Sequence, residues 1–171
     1  MIKIIGSLII IISSTYTGFY YGGEFKKRVE QLREFEKAVY LLKNEMFYTY
    51  TSLPDAFKSI SFKAKGEVKK IFNRMWELLN NNKVEDVYEG FKISIDEQKD
   101  LKLKEEDIDI LLNLSKSLGK SDLEGQRAII LFTMERLKKQ IDAAEKAMEK
   151  NIKMYRYLGF SIGAMLVIML L

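Results

Sequence analysis

The 171-residue chain contains no cysteine and no histidine. Those two absences exclude disulfides, zinc sites built on Cys or His, haem and iron–sulfur ligation, thiol catalysis and any histidine-based triad. It has a single proline and ten glycines, too few for a turn-rich all-β chain, and the scarcity of breakers favours long helices. Charge of one sign is also missing, because 28 Lys and Arg face 24 Asp and Glu for a net +4. With 47% hydrophobic and 30% charged residues the chain is not disordered as a whole. The charges are unevenly placed, since every one but Lys3 lies between Glu24 and Arg156.

Residues 4–23 carry no charge, and about twenty residues at ~1.5 Å each reach ~30 Å, the thickness of a hydrocarbon core. Residues 157–171 are uncharged as well, and Lys153 and Arg156 can extend their stems to let the preceding turn enter the interface. Both stretches are expected to span a membrane. A cleaved signal peptide shares the Lys3-plus-apolar start, but here the run continues through Phe19, Tyr20 and Tyr21 without a clean small-x-small site. Lys26, Lys27, Arg28 and Arg33 follow the first stretch, and Lys146, Lys150, Lys153 and Arg156 precede the second. Both basic clusters belong inside, which predicts a cytoplasmic domain with both termini across the membrane. Tyr16, Tyr20, Tyr21, Tyr155 and Tyr157 would sit at that same interface as an aromatic belt. Ser14, Gly18 and Gly22 form one ridge of small residues, and Gly159 with Gly163 another. They are expected to pack helices closely, within one chain or between copies.

Between the spans the apolar residues recur at helical spacing. Phe25, Val29, Leu32, Val39, Leu42, Met46 and Tyr50 predict one long helix continuous with the first span, ending near Thr51 ahead of Pro54. A short helix follows over 54–60. Val68, Ile71, Phe72, Met75, Trp76 and Leu79 mark a helix over 67–80, stopped by Asn80, Asn81 and Asn82. Val84, Val87, Tyr88, Phe91 and Ile95 mark the next, and Ile108, Leu111, Leu112, Ser115 and Leu118 another that closes at Gly119. Ser121 and Glu124 fit a capping box opening the last helix. There Leu123, Ile130, Met134, Leu137, Ile141, Ala144, Met148, Ile152 and Tyr155 form a stripe running unbroken into the second span. The expected fold is all-α: a transmembrane helix over 1–23, a cytoplasmic bundle of about six helices over 24–152, and a transmembrane helix over 153–171.

No chemistry survives inspection, and neither catalytic residues, cofactor nor metal are expected. Gly119-Lys120-Ser121 resembles the tail of a phosphate-binding loop, but Leu114 stands where that loop needs glycine, and a helix precedes it rather than a strand. Glu105, Glu106, Asp107 and Asp109 cluster at a helix start, where acidic residues favour the dipole. The near-balanced charges of the bundle read as a solvated surface, with basic ends answering anionic lipid rather than nucleic acid. Glu45, close to the apolar stripe, is either a half-buried carboxylate bonded to backbone near Pro54 or to a tyrosine hydroxyl, or a partner contact. Gln126 and Arg127 carry the same ambiguity, and Lys153 and Arg156 are candidates where the last helix meets the membrane.

The order and spacing of several short motifs resemble one family along nearly the whole chain. These are Leu32-Arg33, Glu45-Met46 leading to Leu53-Pro54-Asp55-Ala56, Leu118-Gly119-Lys120-Ser121-Asp122 with Gln126, and Lys153-Met154-Tyr155-Arg156 with Leu158-Gly159. Together with the two terminal spans they resemble the stage III sporulation protein AB family of endospore-forming bacteria. Tyr157 and Ser161 depart from its small and apolar residues at the second span. The resemblance implies a membrane component of the channel complex between mother cell and forespore, on the mother-cell side in the outer forespore membrane. It further implies a bundle similar to the platform proteins of type II secretion and type IV pilus systems. The implied partners are the sporulation ATPase, stage III sporulation protein AA, and the other channel proteins, with a homo-oligomer possible. A membrane sensor that signals by dimerising through Gly159 and Gly163 is the competing expectation.

Overall fold

The structure is a computed structural model that describes residues 2–120 and 122–170. Side-chain surroundings are described for all of these except 2–5, 7–11, 15, 18–22, 156, 160, 163 and 170. Among the described residues there are six α-helices and no strand: α1 (Ile2–Phe47), α2 (Leu53–Lys63), α3 (Gly66–Asn80), α4 (Val87–Asp96), α5 (Glu105–Ser117) and α6 (Leu123–Leu170). The first and last are 46 and 48 residues long, and at 1.5 Å per residue each is close to ~70 Å end to end. Within Leu123–Met169 α6 contains a window long and apolar enough to cross a membrane by length and composition.

Two compact units divide the chain, one of Met1–Val29 with Asp142–Leu171 and one of Glu30–Ile141. In the first unit the two helical arms run antiparallel. Ser14 Oγ donates to the Gly159 carbonyl at 2.5 Å, and the Phe25 and Tyr155 rings meet with centroids 6.0 Å apart. Val29, Ala144 and Gly159 are buried in this unit.

The second unit is a bundle around aromatic side chains. α2 packs on α3, α3 on α4 and α4 on α5. Phe72 of α3 lies at the centre, with ring centroids 6.5 Å from Phe35 of α1, 5.8 Å from Phe57 of α2 and 6.1 Å from Phe91 of α4. Leu32, Leu42, Ile60, Ile71, Met75, Ile110, Leu111, Ile130 and Leu137 complete the fully buried core. Gly90 lets α4 approach α3: a Cβ there would stand 3.3 Å from Val84 Cγ2 and 3.4 Å from Met75 Sδ.

Local chemistry sets the helix ends. Ser52 Oγ accepts from Asp55 N, and Pro54 occupies the first turn of α2, where its missing N–H costs nothing. Asp86 Oδ1 accepts from Glu89 N at 2.8 Å while Glu89 Oε2 accepts from Glu85 N at 3.0 Å. Residues 86 and 89 are thus an acidic start signal that the apolar pattern alone did not show. Asp107 Oδ2 accepts from Lys104 N at 2.9 Å, and its side chain is fully buried. Gly119 holds φ +79° immediately after Leu118, the left-handed position that ends a helix and that a Cβ disfavours by about 1–2 kcal/mol.

Two details differ from the expectations. α1 stops at Phe47 rather than near Thr51, and Tyr50, placed by periodicity on its apolar stripe, is exposed with φ +54°. The chain leaves the helix because the Thr51 amide turns back to the Glu45 carbonyl at 2.9 Å and the α2 turn is tied to the Glu45 carboxylate. In α5 the expected Leu111, Ser115 and Leu118 are buried, but Ile110 and Leu114 complete the core face while Ile108 and Leu112 are half-buried. At the start of α6 Asp122 Oδ1 accepts from Gly125 N at 2.9 Å; the expected Ser121–Glu124 capping box rests on Ser121, which lies outside the described residues.

Candidate interaction surface

Glu45 is a carboxylate tied to three other side chains. It projects from the last turns of α1, and its side chain retains only 13% of its exposure. Oε1 accepts from Ser59 Oγ at 2.5 Å and from Lys63 Nζ at 3.1 Å, and Oε2 accepts from Thr51 Oγ1 at 3.1 Å. Neither backbone near Pro54 nor a tyrosine hydroxyl is among these partners; three side chains from the α1–α2 turn and α2 take that place. The Ser59 hydroxyl, followed by Lys63 and Thr51, holds the carboxyl below its ordinary 4.5, against the opposing effect of burial. A carboxyl held low in the fold contributes stability fully above pH 4.5 and loses it as pH falls through its lower folded value. Glu45→Gln should therefore lower stability at pH 7 by about 1–3 kcal/mol, the usual worth of hydrogen bonds to a charged group. Urea midpoints of the two proteins should converge as pH falls below 4.5, and a gap independent of pH would contradict the assignment.

Two residues before and after Glu45, α1 presents its opposite face, because two helical steps turn about 200°. There Lys43, Phe47 and Tyr48 meet Arg127 and Leu131 of α6 around a cavity of about 100 Å³. Tyr48 is 71% exposed and Leu131 49%. Phe132 and Leu123 are exposed on the same helix, Arg136 lies over the Phe132 ring, and Lys43 Nζ sits 4.8 Å from the Tyr40 centroid. The structure thus brings Arg127 to the end of α1 and leaves Glu45 on the other side. Gln126 is half-buried in the first turn of α6, its amide donating to the Asp122 carbonyl at 2.9 Å.

Lys153 is exposed on the α6 arm, and Gly159 is buried with its carbonyl engaged by Ser14. That intramolecular engagement occupies one of the two glycines of the dimerising ridge. Gly18, Gly22, Arg156 and Gly163 lie outside the residues whose side-chain surroundings are described. The residues that motif reasoning missed are Lys43, Tyr48 and Leu131. Tyr48 and Leu131 carried only aromatic or apolar character off the main stripe, which exposed positions also show, and Lys43 was one lysine among many. Among the described residues no group of acidic side chains is arranged to hold a metal ion.

An all-helical bundle and two apolar-rich helical arms, with an aromatic and cationic surface at the end of α1, define an all-α helical scaffold. The chain matches the stage III sporulation protein AB family over residues 3–171 and belongs to it. A relative from Bacillus subtilis (strain 168), stage III sporulation protein AB, is 27% identical over 172 residues and is covered in full, as is this chain. A solved structure of stage III sporulation protein AB (SpoIIIAB) aligns with a TM-score of 0.67 at 22% identity. It covers 72% of this chain and 97% of its own, and shows the same fold.

Proposed function

We propose that this sporulation protein is a non-enzymatic membrane platform of the channel complex between mother cell and forespore, docking a cytoplasmic secretion-type ATPase. Residues 1–23 and 153–171 are its two spans, and 24–152 its cytoplasmic domain. The observation that carries this reading is the continuity of α1 and α6, each of which includes both bundle residues and the apolar terminal stretch without a break. A helix without a flexible joint transmits displacement along its axis, so a partner acting on the bundle can move the membrane segments. Membership of a sporulation family and the apolar window of α6 support the membrane setting. The basic residues Lys26, Lys27 and Arg28 on one arm and Lys146, Lys150 and Lys153 on the other support a cytoplasmic bundle.

The test is direct binding. The full chain, reconstituted in lipid nanodiscs, should bind purified stage III sporulation protein AA with a Kd in the micromolar range or tighter, measured by biolayer interferometry. Empty nanodiscs should not bind it. Absence of binding at tens of micromolar would refute ATPase docking.

A further inference from the structure

We infer that the cavity between the end of α1 and the first turns of α6 is the docking point for an acidic segment of the cytoplasmic partner that carries one apolar anchor side chain. Charge is the first argument. Carboxylates answer Lys37 (Glu34), Lys63 (Glu45), Lys70 (Glu67), Arg74 (Glu97 and Glu77), Lys120 (Asp86) and Lys139 (Glu135), while Lys58, Lys116 and Arg136 lie over the Trp76, Tyr88 and Phe132 rings. Lys43 and Arg127, which line one cavity together, have no ion pair among the described residues; Lys43 rests on the Tyr40 ring instead. Two unanswered cations at one apolar opening leave a positive rim that a carboxylate of a partner would complement.

Size is the second. A cavity of about 100 Å³ is well below the ~300–1,000 Å³ of small-molecule and cofactor sites, and it matches a single aliphatic or aromatic side chain. An arginine and a tyrosine beside such a cavity are residue types enriched at interface centres, where an apolar anchor enters and charges around it fix register. Apolar surface on a bundle that has already buried Ile130 and Leu137 on the same helix has no folding use at Leu131, Phe132 and Leu123. The rim is charge-steered, so association should be salt-dependent in both rate and affinity.

This inference rests on the platform reading, with the ATPase as the partner. The test therefore uses the full chain in nanodiscs and purified stage III sporulation protein AA. Arg127→Glu and Leu131→Ser should each weaken binding at least tenfold, whereas Arg127→Lys should weaken it less than threefold. Lys65→Glu, on the exposed α2–α3 turn, should change it less than twofold. Raising salt from 50 to 300 mM should weaken the wild type several-fold and affect Arg127→Glu less. Circular dichroism and melting of each variant verify the fold, and both positions are exposed enough to be replaced without unfolding. Unchanged affinity in Arg127→Glu and Leu131→Ser overturns this docking point and leaves the platform reading intact. No binding by the wild type overturns both. If the two variants abolish self-association of the chain but leave ATPase binding untouched, the surface joins copies of this protein and the inference is wrong.

Discussion

Replacing Phe72 with alanine should destabilise the bundle by about 3–5 kcal/mol, the cost of removing a large aromatic from a packed core. The reason is the number of elements that converge on one ring. Phe72 contacts Phe35, Phe57 and Phe91, so a single side chain ties α3 to α1, α2 and α4. It also borders an interior gap of only about 10 Å³ among Val39, Leu42, Leu111, Leu114 and Leu118. A gap of that size accepts about one water-sized probe and its lining is apolar, so the cavity left by alanine would stay dry and uncompensated. Against a total stability of about 5–15 kcal/mol, the loss is about a fifth or more. The melting temperature should fall by roughly 6–20 °C, at 2–4 °C per kcal/mol for a domain of this size. Phe72→Leu keeps most of the volume and should cost less than half as much. A loss under about 1 kcal/mol for alanine would show that the ring is not the centre of the core.

Inserting six Gly and Ser residues after Asn151 should lower spore formation at least a hundredfold without preventing membrane insertion. α6 is one helix over Leu123–Leu170, and Asn151 lies in its C-terminal arm. Each glycine costs a helix about 1 kcal/mol relative to alanine, and a Gly/Ser run behaves as flexible coil rather than as a strut. A push on the bundle would then be absorbed at the insertion. A helix-compatible insertion of seven residues turns the arm by only about 20°, so it should retain most activity. ATPase binding should survive both insertions, because the α1–α6 cavity lies far along the helix from residue 151. Wild-type sporulation with the flexible insertion would refute mechanical coupling through α6.

Most of the fold was legible in the sequence because apolar residues at steps of three and four leave few alternatives. The spans of α3 and α6, the stop at Gly119 and the start of α2 beside Pro54 all follow from periodicity and from residues with fixed backbone preferences. What the pattern could not decide was which of two adjacent stripes faces inward. In α5 the expected Leu111, Ser115 and Leu118 are buried, but Ile110 and Leu114 join them while Ile108 and Leu112 stay half-buried. In α3 the pattern favoured Trp76 and Leu79, whereas Leu78 is buried and Trp76 lies half-buried under the Lys58 ammonium. A helix with apolar residues on more than half its circumference has several faces of similar hydrophobicity, and only its neighbours select one. Buried polar residues are a second blind spot. Asp107, Ser94 and Thr133 are core residues, with Ser94 bonded to the Gly90 carbonyl, which an apolar count passes over.

The candidate surface was less legible. Glu45 stood out by its place near an apolar stripe, but its partners Ser59 and Lys63 are 14 and 18 residues away and reach it only once α2 folds back. Arg127 stood out too, though nothing in the sequence linked it with Lys43 and Tyr48, more than seventy residues earlier.

By itself, then, the sequence determined the class of protein. The absence of cysteine, histidine and all but one proline, the confinement of charge between Glu24 and Arg156, and the helical period fixed an all-α chain with apolar ends. These are local properties, written in neighbouring residues. Tertiary structure alone decided which side chains share a site, because that depends on the path of α2–α5 between α1 and α6. It answered Glu45 with hydroxyls and a lysine on one face, and left Lys43 and Arg127 without an ion pair among the described residues around a cavity on the other.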